Sequence, residues 1–177
     1  MRKENRKEAP NRHLWTDLLM NRLLFEHLPL SLLIGCLGWL SGGNWLCLPF
    51  ALAVGWCIDV DHLFDFFYYL SQHHGKPDWS LIRSGGYFSI NGKIFVPLHS
   101  WELTFIIVLG LGFFTQNWIL ALTTGAAHTA HLLQDMRAYK VRVLGYSLIS
   151  RAFRSFEQRG FCTTKVHFEH SGVGEPS

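Results

Sequence analysis

The chain has two long stretches without any ionisable side chain. No Asp, Glu, Lys, Arg or His occurs between Leu28 and Ile58, and none occurs between Leu103 and Ala127. A soluble domain of this size normally carries charged side chains every few positions. Uncharged stretches rich in Leu, Ile, Val, Phe and Trp are instead typical of helices in a lipid bilayer. The sequence therefore predicts an integral membrane protein.

Cysteine is scarce and is not spaced for disulfides or for a zinc knuckle. The four cysteines are Cys36, Cys47, Cys57 and Cys162, and three of them lie in apolar segments. No two of them form a Cys-x-x-Cys pair, which excludes the usual cysteine-based metal motifs. We expect buried thiols that act as small apolar side chains.

Turn signals divide the apolar part of the chain into four segments, at 25–40, 45–58, 94–114 and 118–133. Ser41-Gly42-Gly43-Asn44 separates the first pair, and Thr115-Gln116-Asn117 separates the second. Apolar runs of this length favour helices over strands. The expected fold is therefore all-α, a membrane helical bundle of about four transmembrane helices arranged as two hairpins.

Three regions follow from this division. Residues 1–22 are predicted to be a cytoplasmic N-terminal tail with a short helix, and residues 23–136 a membrane helical domain. Residues 137–177 are predicted to be a basic cytoplasmic tail. Within it, 143–158 should form a basic interfacial helix whose Arg151 and Arg154 meet anionic lipid headgroups.

The basic residues predict the orientation in the membrane. All 16 Lys and Arg lie in the N-terminal tail, in the 71–93 loop or in the C-terminal tail, whereas the two turns carry no charge. Two hairpins put those three regions on one side, and an excess of Lys and Arg marks the cytoplasmic side. We expect a multi-pass protein of the inner (cytoplasmic) membrane with both termini cytoplasmic.

The same topology brings acidic and histidine residues from distant parts of the chain to that face. Ionisable groups at membrane depth cost about 2.5–3.5 kcal/mol each on insertion scales, so several together must be paired, hydrated or bound to metal. The candidate metal ligands are His27, Asp59, Asp61, His62, His99, His131 and Asp135. The candidate catalytic acid–base residues are Glu102 and His128.

Local spacing supports a shared pocket. His128, His131 and Asp135 fall on one face of a helix, as do His99 and Glu102, because residues three or seven positions apart share a side. Mixed imidazole and carboxylate ligands suit a divalent ion such as zinc or manganese, or iron. The candidates exceed one tetrahedral site, and they fit two ions or one ion with acid–base partners.

Each motif also has a purely structural explanation. The 59–62 motif can cap a helix end, and His99 with Glu102 can form a buried hydrogen-bonded pair. The 128–135 motif can be the polar end of a helix, and His27 can mark the membrane interface.

The order of the motifs adds a family resemblance. The residues that carry it are His27, Asp59-Val60-Asp61-His62, His99-Ser100 and His131-Leu132-Leu133-Gln134-Asp135, within about 23–136. This order resembles the membrane-bound metal-dependent hydrolase family, whose members include LexA-binding, inner-membrane-associated hydrolases. Ile58 stands where that family has Pro, and Ile94–Leu98 lacks the family's His-Arg-Gly.

The resemblance implies hydrolysis of a phosphoester or lipid-linked substrate at the cytoplasmic membrane face. Asp59, Asp61, His99, His131 and Asp135 would then hold metal, and Glu102 or His128 would shuttle a proton. A non-enzymatic membrane protein that binds or transports metal would use the same ligands. A bis-histidine haem protein is less favoured, because haem does not need adjacent carboxylates. Expected partners are membrane lipid and a small-molecule or lipid-linked substrate, and no nucleic acid is expected.

Overall fold

A computed structural model describes residues 23–72 and 90–161. The predicted all-α class is confirmed for these residues, which contain no strand, and Lys93 and Glu157 form an isolated β-bridge. The predictions for 1–22, for most of the 71–93 loop and for 162–177 lie outside the described residues.

Seven α-helices are formed in the described ranges. In chain order they are α1 (Leu28–Gly42), α2 (Cys47–Trp56), α3 (His62–Gln72), α4 (Trp101–Thr115), α5 (Trp118–Tyr139), α6 (Leu148–Phe153) and α7 (Gln158–Phe161). A π-helical turn, Leu23–His27, leads into α1. The 3-10 turns Cys57–Asp61 and Val143–Tyr146 precede α3 and α6.

Two helical hairpins form the centre of the structure. α1 packs against α2 and α4 against α5, and α5 also packs against both helices of the first hairpin. The turns lie where the sequence predicts them. Gly43 ends α1 with a φ of 67°, which glycine adopts readily, and the Asn117 side chain caps α5 by accepting from the Leu120 N–H.

Small residues allow the helices to approach closely. A Cβ atom added to Gly55 of α2 would lie 2.0 Å from the Ser31 Oγ of α1, and one added to Gly38 would lie 2.2 Å from the Thr123 Oγ1 of α5. Only glycine fits at such contacts. α5 therefore runs close to the first hairpin, and its last turns face the end of α2.

Membrane crossing by the bundle stays a prediction. In the part of the chain that the structure describes, one continuous helical stretch, Cys47–Gln72, is long and apolar enough to cross a membrane. The helix α4 is apolar but has only 15 residues. The predicted bundle of about four transmembrane helices thus goes beyond this finding.

The interfacial helix predicted over residues 143–158 is wrong as a single helix. α6 has six residues, and the chain then turns through Ser155 and Phe156, whose φ values of 52° and 60° are incompatible with a continuing helix. The segment folds back, because the Ile94 N–H donates to the Phe156 carbonyl. The boundary predicted at residue 136 falls inside α5. Arg151, expected to meet lipid headgroups, is only 4% exposed.

The cysteines only partly follow the expectation of buried thiols. Cys47 is buried and Cys36 is partly buried, but Cys57 is exposed, so the expectation is wrong for that residue. All three are free thiols.

Candidate metal centre

Four ionisable residues from three parts of the fold meet at one end of the hairpins. Asp59 lies in the 3-10 turn after α2, His99 lies in the loop before α4, and His131 and Asp135 lie on successive turns of α5. One ligand atom from each lies within 4.8 Å of all the others. His99, His131 and Asp135 are buried. Such a buried His/Asp cluster can hold a metal ion.

Five of the six distances among these four atoms are close to those of a tetrahedral site. The Nε2 atoms of His99 and His131 are 3.1 Å apart. The Asp59 Oδ1 lies 3.3 and 3.4 Å from these two nitrogens, and the Asp135 Oδ2 lies 3.4 and 3.3 Å from them. Metal–ligand bonds of about 2.0–2.2 Å give tetrahedral edges of roughly 3.3–3.6 Å. The nitrogen–oxygen edges fall in this range, and the nitrogen–nitrogen edge is slightly shorter.

Hydrogen bonds hold both imidazoles with Nε2 toward the centre. The His131 Nδ1 lies 3.0 Å from the Gly55 carbonyl oxygen, which can only accept, so Nδ1 carries the hydrogen. The His99 Nδ1 lies 3.0 and 3.1 Å from the carboxylate oxygens of Asp61 and donates to them. A hydrogen on Nδ1 leaves the Nε2 lone pair for a metal, which is the usual arrangement of metal-bound histidine.

The centre attracts positive charge. Burial by itself lowers the pKa of His99, but hydrogen bonds from its ring to the carboxylates of Asp135, Asp59 and Asp61 outweigh burial and raise that pKa well above its usual value. These carboxylates therefore hold a proton on the imidazole when no other cation is present. A divalent ion would take the place of that proton.

Asp61 lies outside the set of four and contacts the His99 ring from the other side. Its carboxylate is fully buried and also accepts from the backbone N–H groups of Leu98 and His99, at 2.7 and 3.2 Å. Asp65, four residues later in α3, accepts from the backbone N–H groups of residues 95 and 96 at 2.7 and 3.0 Å. Two buried carboxylates thus fix the loop that carries His99.

Two predicted ligands adjoin the set without belonging to it. The His27 Nε2 lies 3.5 Å from the Asp135 Oδ1, and its ring stacks on that of His131 with 4.3 Å between centroids. The His62 Nε2 lies 3.5 Å from the Asp59 Oδ1. Asp61, His62 and His99 form a second group that could hold an ion, but it shares His99 with the first.

The two predicted acid–base residues have structural partners elsewhere. Glu102 caps α6, since it accepts from the Ser147 hydroxyl at 2.6 Å and from the Leu148 N–H at 2.9 Å. The His128 Nε2 donates to the Leu98 carbonyl at 3.0 Å, and its Nδ1 accepts from the Thr104 hydroxyl at 2.7 Å. Both nitrogens of His128 are therefore engaged away from the set of four.

Solvent reaches the centre along one edge. The side chains of Asp59 and His62 are 29% and 37% exposed, whereas those of His99, His131 and Asp135 are at most 6% exposed. A water molecule or a substrate would therefore meet the Asp59–His62 edge first.

Sequence reasoning missed the roles of Asp65 and Arg151. Asp65 stands as a single carboxylate in the apolar run 63–70, and such a residue usually has a buried partner. The sequence around Arg151 gives no comparable sign of burial, because the apolar and basic residues next to it equally suit a helix on the surface. Its guanidinium nevertheless donates to backbone carbonyls of the loop that carries His99.

Comparison of the chain with models of known protein families, with curated proteins and with solved structures gave no match. The resemblance to membrane-bound metal-dependent hydrolases therefore stays a prediction. Support for a function comes from the geometry of the centre.

Proposed function

We propose that the chain is a membrane-bound metal-dependent hydrolase that acts at the cytoplasmic membrane face on a phosphoester or lipid-linked substrate. The observation that carries the proposal is the near-tetrahedral set formed by Asp59, His99, His131 and Asp135. A structural cluster would not need two imidazoles whose Nε2 atoms face each other at 3.1 Å with both Nδ1 atoms already hydrogen-bonded. A divalent cation explains both features.

The donor set favours zinc. Two imidazole nitrogens and two carboxylate oxygens suit zinc or manganese, and near-tetrahedral spacing is the preference of zinc. A bound ion of this kind supplies Lewis acidity, which polarises a phosphoryl or carbonyl oxygen and makes water acidic enough to attack near neutral pH. Asp61 and Gly55 orient the imidazoles, and the Asp59–His62 edge admits water and substrate.

The membrane part of the proposal rests on exposed apolar side chains and on the distribution of charge. The outer faces of α1 and α4 expose Leu33, Leu37, Leu40, Phe105, Ile106 and Phe113. Apolar surfaces of this extent mark contact with a membrane or with another protein. The centre lies near the end of α5 that carries Arg137 and Lys140, so the positive-inside rule favours the cytoplasmic side for it. Reporter fusions at Lys76 and after Ser177 test this orientation, and a periplasmic signal from either would refute it.

The decisive experiment measures metal and hydrolysis in the full chain purified in detergent. We expect one divalent ion per chain in the wild type and a large loss of metal in Asp135→Asn. Glu157→Gln, which changes an exposed carboxylate, is the control and should keep its metal. Hydrolysis of p-nitrophenyl phosphate, bis(p-nitrophenyl) phosphate and a phospholipid in mixed micelles should follow metal content and be abolished by a chelator. A wild-type protein that binds no divalent ion would refute the proposal.

One observation favours a second candidate, a non-enzymatic membrane protein that binds or transports metal. The set offers four protein ligand atoms, as structural zinc sites do, whereas catalytic zinc keeps a position for water. The exposed Asp59 edge favours the hydrolase, because the coordination can expand there. Stoichiometric metal without hydrolysis of any substrate, together with metal flux in proteoliposomes, would identify the second candidate.

A further inference from the structure

Arg151 of α6 is a buried cation whose guanidinium donates to backbone carbonyl groups. Its guanidinium donates to the carbonyl oxygens of Phe95, Val96 and His99, the last two at 3.0 and 2.8 Å. These carbonyls belong to the loop directly before α4 that carries His99. A segment that follows all of the predicted ligands in sequence thus reaches back to the loop of one ligand.

The loop has a conformation that needs such restraint. Val96 has a φ of 27°, which is unfavourable for a β-branched residue. Conformations of this kind persist only where the surroundings hold them. Asp61 and Asp65 hold the N–H groups of the loop, and Arg151 holds its carbonyl groups.

His99 is therefore fixed on both sides of its own backbone. Its N–H donates to Asp61 at 3.2 Å, and its carbonyl accepts from Arg151 at 2.8 Å. Metal sites tolerate errors of only about 0.2 Å in metal–ligand distances. A small shift of this peptide would move Nε2 out of the tetrahedral set.

We propose that Arg151 is a positioning residue of the metal centre: it holds the backbone of the 95–99 loop and thereby sets the affinity of the centre for metal. The proposal rests on the proposed function, because it concerns the same centre. Arg151 contacts none of the four ligand atoms and acts through the backbone of His99. A planar fork with several N–H donors is required, since a lysine ammonium cannot bind three carbonyl groups with the same geometry.

The test compares Arg151→Met and Arg151→Lys with Arg154→Met in the full chain purified in detergent. Arg154 ends α6 and is exposed, so its substitution is a matched control. Zinc affinity is measured by competition with a chelating indicator, and the visible spectrum of the cobalt-loaded protein reports the ligand geometry. Hydrogen exchange of peptides that cover 93–100 reports the order of the loop without any metal.

We expect Arg151→Met to bind zinc about 10- to 100-fold more weakly, as for other residues that orient a ligand, with an altered cobalt spectrum and faster exchange in the loop. Arg151→Lys should lie between Arg151→Met and the wild type, and Arg154→Met should match the wild type. If Arg151→Met does not fold, Arg151→Lys decides. Wild-type zinc affinity and cobalt spectrum in the folded Arg151 variants would overturn the proposal.

The two proposals can fail separately. If the wild type binds no metal, the proposed function fails. The role of Arg151 is then tested by hydrogen exchange of the loop alone. Faster exchange of 93–100 in the Arg151 variants, but not in Arg154→Met, would still support its positioning of His99. Unchanged exchange would refute it.

Discussion

Asp61→Asn tests the orientation of His99 with an isosteric change. The Asp61 Oδ2 accepts from the N–H groups of Leu98 and His99, so the oxygen of an asparagine must stay at that position. The new NH₂ group then faces the His99 Nδ1, which lies 3.0 Å from Oδ1 in the wild type. An NH₂ group can only donate, so it favours the form of His99 with its hydrogen on Nε2 over the form whose Nδ1–H donates to Oδ2, which lies 3.1 Å away in the wild type. That hydrogen would point into the metal centre.

The expected loss of metal affinity follows from this tautomer change. Removing a partner that orients a metal-bound histidine lowers metal affinity about 10- to 100-fold, which corresponds to about 1.4–2.7 kcal/mol. Competition with a chelating indicator measures the affinity, and nitrogen NMR of the imidazoles in the metal-free protein identifies the tautomer. We expect the His99 signal of Asp61→Asn to report a hydrogen on Nε2.

Asp65→Asn is the matched control for this change. Asp65 is also fully buried and also accepts two N–H groups of the same loop, but its two carboxylate oxygens are bonded to Phe95 and Val96 and not to the His99 ring. Its substitution should lower metal affinity clearly less than that of Asp61. Zinc affinity within about twofold of the wild type in Asp61→Asn, or a hydrogen that stays on Nδ1, would contradict the proposed orientation of His99.

Three further predictions concern the helix cap, the helix contact and pH. Glu102→Ala should lower the free energy of unfolding by about 1–2 kcal/mol, measured by denaturant titration, because Glu102 caps α6. The variant should keep its zinc, and loss of zinc would instead show that Glu102 acts at the metal centre. Gly55→Ala should lower the melting temperature and weaken zinc binding, because a Cβ would lie 2.0 Å from the Ser31 Oγ, whereas Gly110→Ala, with no atom within 4 Å, should do neither. Zinc affinity should rise with pH near neutrality, because the carboxylates around His99 raise its pKa and binding must therefore release protons. Titration calorimetry in two buffers measures that release, and affinity independent of pH would contradict it.

The sequence by itself determined the helices, their turns and the gathering of ionisable residues at one end. These features depend on local patterns: uncharged runs favour helices, and Gly43 and Asn117 end or begin them. Once two hairpins were predicted, the positions of Asp59, His99 and His131 at one end followed from counting helices. The C-terminal segment could not be predicted in the same way, because the turn at 155–156 and the burial of Arg151 depend on contacts with the 93–99 loop.

Only the tertiary structure decided which candidates face one another and which orient them. Asp61 and Asp135 are the same residue type in similar surroundings, yet one carboxylate meets the His99 Nδ1 and the other meets its Nε2. That difference depends on the packing of α5 against α2, where Gly55 both touches Ser31 and accepts from His131. Arg151 holds a carbonyl 52 residues away in the chain. The chemical role of a histidine or carboxylate depends on which of its atoms faces the centre, and residue spacing along one helix does not determine the angle and distance between different helices.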